Sequence, residues 1–269
     1  MTATAAWEAD FAAVAARIGP RFARSEARHH AADYLRGLLG RAARKNGWQL
    51  AEAAGDATPY GLQQFRYRAT WDPDAVRDDL RDYVVEHLGD PQGVLVVDET
   101  GFLKKGSESA GVQPQYRGAA GRTANAQIGV FLTYAGARGH TFLDRALYLP
   151  ASWAADRDRR RAAGIPDDVA FAAKPALAQT MLGRALDAGV PAAWVTADSI
   201  DGEVQYLRVW LEARPSGYVL AVSGKDTVVG PDGHQRRMST SLADPVACGN
   251  LIRARLKLMT SPGSPSLPI

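Results

Sequence analysis

Cysteine is nearly absent from this sequence: Cys248 is the only one in 269 residues. That excludes an internal disulfide framework and any multi-cysteine zinc site, and it fits a reducing, cytoplasmic setting. Long apolar runs are missing too, so nothing reaches the length of a membrane span. The opening MTATAAWEADFAAVAARIG has acids where a secretory leader has basic residues, and no signal peptide is expected. There is no strong charge of one sign, since 32 basic residues face 29 acidic ones. A net charge of +3 is too mild by itself to announce nucleic acid. No G-x-S-x-G occurs, and His140, His234 and Cys248 do not share metal-ligand spacing. A serine or cysteine nucleophile therefore has no support.

The basic excess is local. Between Arg17 and Arg68 there are ten Lys/Arg against four acids, in a region that reads as helical from residue 7 to about 90. Trp7, Phe11, Val14 and Ile18 recur at helical spacing before Gly19 and Pro20. Tyr34, Leu35, Leu38 and Leu39 do so before Gly40. A third helix is expected from Asn46 to Gly55. After it, DATP offers a cap and a proline at the start of a fourth, YGLQQFRYRATW. A short helix, a glycine turn and a helix carrying Gln63, Gln64, Arg66 and Arg68 make a helix-turn-helix-like pair. Gln and Arg read base edges or hold phosphates, and Arg44 and Lys45 lie just upstream. A plain helical bundle with a polar face is the other reading of the same pattern.

From about residue 92 the pattern changes to strands. VLVVDE is a buried-strand run ending on Asp98 and Glu99, and IGVFLTYA (128–135) and HTFLDRALYL (140–149) follow it. The helix KPALAQTMLGRALDAG (174–189) leads to AAWVTAD (192–198), again an apolar strand ending on an acid. A helix over 203–213 and a strand over 217–224 complete the series. Strand, strand, strand, helix, strand, helix, strand predicts an α/β fold with a mixed sheet, strands one to three antiparallel. The first and fourth strands can then be parallel neighbours. Asp98 and Asp198, a hundred residues apart, would stand side by side. Two such carboxylates either mark two strand exits or hold Mg²⁺ or Mn²⁺ between them. Glu99 is expected to point to the opposite face. In the Gly-rich stretch after the first strand, Lys104, Lys105, Arg117 and Arg122 either approach phosphates or line an exposed loop. The run RDRRR (157–161) is expected to be a solvated ion-pair network, and Trp194 and Trp210 core aromatics.

With VLVVDETGFLKKG, QYRGAAGRTANAQIGVFLTYA, LDRALYLPASWAADRDRRRAAGIPDDVAFAAKP and WVTADS in this order, the chain resembles the DDE-type insertion-sequence transposases, specifically the insertion-sequence 701 group. The resemblance runs from the N-terminal helices to about residue 225. It implies an RNase H-like catalytic core at 91–225 behind a helical DNA-binding region at 1–90. It also implies catalytic, metal-binding roles for Asp98 and Asp198, a two-metal Mg²⁺ or Mn²⁺ site, and transposon-end and target DNA as partners of a nucleoid-associated protein. The implied activity is end cleavage and strand transfer.

Two departures qualify these expectations. SIDG follows WVTAD where the family has a segment with Tyr-Gly, and no glutamate follows Glu212, where the family places its third acid. The expectation is therefore a C-terminally truncated transposase, shifted in frame near residue 245. Its third acid is missing, its metal site weak and its catalysis deficient. Residues 226–269 are expected to be an insertion remnant and a disordered tail. Asp201, Glu203, Asp226 and Asp244 are expected to be surface acids rather than substitutes. The alternatives are a non-enzymatic DNA-binding remnant that inhibits full-length transposase, and a nuclease that recruits Asp201. Loss of a last helix is expected to bare an apolar sheet face and promote self-association.

Overall fold

Apolar residues at helical intervals give the first 87 residues their form. The structure is a computed structural model, and it describes residues 3–117, 122–198, 204–221, 227–229 and 235–237. Contacts divide the chain into two units, Met1–His87 and Leu88–Ile269. The first holds α1 (Ala3–Ile18), a 3₁₀ turn (Gly19–Arg21), α2 (Ser25–Leu39), α3 (Gly47–Ala53), α4 (Tyr60–Arg68) and α5 (Pro73–Leu88), whose last residue passes the boundary. Its core has two clusters. Ile18, Phe22 and Ala31 pack with Leu35, Phe65 and Val76, while Leu50, Ala51 and Leu62 pack with Tyr34. Asn46 caps α3 by accepting the Gln49 N–H at 2.9 Å.

The expected cap of α4 is displaced. Gly55, at φ 84°, closes α3 in the left-handed region and lets the chain turn. Pro59 then occupies the cap position itself, while the Asp56 N–H bonds back to Ala51 O. The fifth helix starts at Asp72, whose carboxylate accepts the N–H groups of Ala75 and Asp74. Those bonds, Ala75's first, hold its carboxyl below the ordinary carboxylate range. Arg21 grips Asp79 with two bonds of 2.7 Å, and Arg17 meets Glu86 at 2.5 Å, tying the end of α1 to α5.

The second unit is an α/β structure with an RNase H-like mixed sheet. Its strands are β1 (Val94–Leu103), β2 (Gln113–Arg117), β3 (Arg122–Gly136), β4 (Gly139–Tyr148), β5 (Trp194–Ala197) and β6 (Gly217–Leu220). The order is β2-β3-β1-β5-β6, with β4 also paired to β3. β1 to β4 pair antiparallel, whereas β5 lies parallel to β1 and to β6. The helices are α6 (Ala151–Ala155), α7 (Arg157–Ala162), α8 (Lys174–Asp187) and α9 (Gln205–Glu212), and β7 (Thr227–Val229) and β8 (Gln235–Arg237) form a separate hairpin.

Pleat alternation sends Leu95 and Val97 of β1, and Val195 and Ala197 of β5, to one buried face. There α8 contributes Ala178, Met181, Leu182 and Ala185. On this face the Asp144 carboxylate is almost fully enclosed and accepts two bonds from Arg184 of α8, at 2.8 and 3.0 Å. The other face is apolar and open: Phe102, Phe131 and Phe142 form a chain of ring contacts, with Phe142 68% and Val219 62% exposed.

Three expectations need correction. β1 does not end at Asp98. It runs on to Leu103, because ETGFL pairs antiparallel with β3 as far as Leu103 opposite Ala126. The 157–161 run is not simply solvated: Arg160 is buried and donates to the carbonyls of Ala154 and Pro166, while Arg159 lies 3.7 Å over the Trp153 ring. The fully buried tryptophan is Trp153, whose Nε1–H donates to Val112 O; Trp194 and Trp210 are only partly buried.

Candidate functional site

Register brings the two acids together. The parallel pairing of β1 with β5 runs from Val94 opposite Trp194 to Val97 opposite Ala197. Asp98 and Asp198 are the next residue on each chain. β5 itself ends at Ala197, and continuing its register by one residue puts positions 98 and 198 on the same side of neighbouring chains about 4.8 Å apart. Both residues are exposed. Asp98 Oδ1 accepts the N–H of Glu99 at 2.8 Å. Across β3, its partner is Phe131.

Glu99 belongs to the opposite face, as alternation requires. There it meets Lys174 Nζ at 2.5 Å, and Lys174 lies 5.5 Å from the centre of the Tyr148 ring. Lys174 is the first residue of α8. The ion pair therefore ties the start of that helix to β1 at the residue beside Asp98, and it takes Glu99 out of any ligand set formed with Asp98. No sequence signal links Glu99 to Lys174, because only the folded chain brings the first residue of α8 to β1.

Two hard oxygen donors on one exposed face have the chemistry of a Mg²⁺ or Mn²⁺ site, since a divalent cation offsets their mutual repulsion. Among the described residues no group of three His, Cys, Asp or Glu is placed to hold a metal ion. Asp201, Glu203, Asp226 and Asp244, and the segment on which the expected truncation rests, lie outside the described residues.

The basic candidates fall into separate groups. Lys104 follows the last β1 residue, and its N–H donates to Asn125 O at 3.1 Å. Asn125 Nδ2 donates in return to the carbonyls of Lys104 and Gly106, which fixes the turn that carries Lys105. Arg117 and Arg122 are register partners at the far end of the β2–β3 hairpin.

In the helical unit, Lys45 donates to the carbonyls of Gly37 and Gly40 at 3.1 and 2.5 Å, so it closes the C-terminal end of α2. Arg44 is exposed beside it. Gln63, Gln64, Arg66 and Arg68 all lie on α4, where Arg66 sits within 6.0 Å of the Tyr34 and Tyr67 rings. Among the described residues no helix is long and apolar enough to cross a membrane.

Comparison with known proteins gives two findings. The profile of the family described as "DDE superfamily endonuclease" matches residues 17–250. A protein of Microchaete diplosiphon named as a probable transposase for insertion sequence element IS701 is 30% identical over 156 residues, which is 58% of this chain. The matched stretch spans 38% of that protein's own length.

Proposed function

The chain belongs to the DDE superfamily endonuclease family, and from that premise we propose that it acts on DNA as an insertion-sequence transposase of the insertion-sequence 701 type. The observation that supports this reading is the register of β1 with β5, which runs to Val97 opposite Ala197, the residues just before Asp98 and Asp198. In this reading both carboxylates are catalytic ligands that orient a phosphodiester of the transposon end. Lys174 keeps Glu99 on the far face, so Asp98 presents the only β1 carboxylate on this one. Asp98 and Asp198 would hold a divalent ion, which would supply Lewis-acid stabilisation of the phosphoryl oxygens and activation of the attacking water. The reaction is hydrolysis of one phosphodiester and attack of the freed 3′ hydroxyl on a second, in target DNA. The α3–α4 pair, with Gln63, Gln64, Arg66 and Arg68, binds the DNA ends. Lys104, Lys105, Arg117 and Arg122 follow the strand ends beyond Asp98 and meet the DNA backbone.

The test is a Mg²⁺ and Mn²⁺ cleavage assay on DNA carrying the element's own ends. Cleavage is expected to be weak, because no glutamate follows Glu212 to supply a third acid, to need the metal, and to be lost in Asp98→Ala and in Asp198→Ala. Cleavage undiminished in either variant overturns the site. DNA bound but never cut assigns the chain a binding role, as an inhibitor of complete transposase.

A further inference from the structure

An open groove between α2 and α4 joins two of the proposed DNA contacts, Gln64 and Arg68, to residues of α2 that have no role so far. It has a volume of about 300 Å³ and is lined along α2 by Arg24, Glu26, Ala27 and His30, and along α4 by Gly61, Gln64, Phe65 and Arg68. Intervals of three and four residues on each helix place these side chains on facing stripes. Most arginines of this unit outside the groove are engaged. Arg17, Arg21 and Arg36 are ion-paired to Glu86, Asp79 and Glu8, and Arg28 donates to Phe22 O. Arg24 and Arg68 differ: both are exposed at the groove, and among the described residues neither has an ion-pair partner. Arg24 holds the N-cap position of α2 in extended geometry, and its side chain makes no capping bond to the first N–H groups of the helix.

Two further observations mark the groove as built. His30 Nδ1 is buried without a hydrogen-bond partner, an arrangement that usually has a reason. A Cβ on Gly61 would come within 2.8 Å of the His30 ring, so glycine is what lets α4 close on that ring. The one acid, Glu26, is 77% exposed at the rim, 3.8 Å from His30 Nε2. Two guanidiniums, an amide and a helix N-terminus against one solvent-facing carboxylate leave the groove net basic. Its apolar wall, Phe65, gives room for a sugar.

We infer that this groove seats one backbone phosphate of DNA, with Arg24 and Arg68 as its two cationic contacts and Gln64 as a neutral donor. The inference rests on the DNA-binding reading of the helical unit and adds to it a defined contact that includes Arg24. Because the contact is to phosphate, it carries no sequence preference.

The experiment titrates the full chain with a fluorescent mixed-sequence DNA duplex over a range of salt concentrations. Arg24→Ala and Arg68→Ala are each expected to weaken binding several-fold and to flatten the plot of log affinity against log salt by about 0.9. Arg41→Ala, which removes the same charge outside the groove, leaves that slope unchanged. Equal losses in all three variants mean diffuse charge and overturn the groove. So does an Arg24→Ala slope equal to that of the unmodified chain. Both of those results leave the DNA-binding reading standing, whereas an unmodified chain with no affinity for the duplex overturns both.

Discussion

In the helical unit the ion pairs lie toward solvent, Arg17 with Glu86, Arg21 with Asp79 and Arg36 with Glu8, whereas in the sheet unit Asp144 meets Arg184 with its carboxylate only 5% exposed. The surface pairs gain little Coulomb energy in water, so they orient helices whose cohesion comes from Phe22, Ile18, Leu50 and Leu62. Asp144 has exchanged hydration for the Arg184 guanidinium, the Arg145 N–H at 2.7 Å and the Arg145 guanidinium at 3.7 Å, and losing Arg184 leaves its enclosed charge less well compensated. The same residue types therefore do different work in the two regions, according to the dielectric around them. The candidate functions differ in the same way. DNA contact in the helical unit relies on individual flexible side chains, while the paired acids of the sheet unit rely on backbone register.

This contrast can be broken in four places. The largest effect is expected from the sheet unit's core: Trp153→Ala should cost about 3–5 kcal/mol in urea unfolding of the full chain, through lost packing and the loss of one of the two hydrogen bonds to the Val112 carbonyl. Asp144→Ala should cost about 2–4 kcal/mol, less than a fully buried pair because Arg184 can turn to water, but far more than any surface pair. A loss under about 0.5 kcal/mol would put Asp144 in the same class as the helical unit's acids and end the comparison.

The third effect depends on pH. The Arg21 guanidinium holds the Asp79 carboxyl below its ordinary value, so the folded form binds the proton less readily than the unfolded chain does. The stability this gives is complete above the unfolded value near 3.9 and is lost as pH falls through the folded one. Thermal melts of the full chain below about pH 4 should therefore depend less on pH in Asp79→Asn than in the unmodified protein. An unchanged acid limb would contradict the pairing. The smallest change is expected for Glu8→Gln, within about 0.5 kcal/mol of the unmodified chain by denaturant unfolding.

The sheet's order was legible where apolar runs are long. Residues 94–97, 128–135, 140–149, 174–189 and 192–198 signal β1, β3, β4, α8 and β5 by period and length, and from them follows the parallel pairing of β1 with β5. β2 was not legible, because QPQYR has neither an apolar run nor alternation, and pairing with β3 alone makes it a strand. The continuation of β1 through Glu99, Thr100 and Gly101 was hidden for the same reason. The shift in β4 register between Leu132 and Thr133, which places Asp144 opposite Leu132, has no local signature either. Lys45 was legible in principle. A lysine just past a helix end is a usual partner for terminal carbonyls, and that bland role competes with DNA contact for the same ammonium.

The way β1 changes neighbours has a further meaning. Up to Val97 it is an interior strand flanked by β3 and β5; from Asp98 onward β3 alone pairs with it among the described residues. Among the described residues Asp98 is thus the first residue of β1 without a strand on the β5 side. Charged side chains at such an edge oppose strand addition. A charge at Asp98 therefore opposes strand addition there, independently of the ligand role proposed for it.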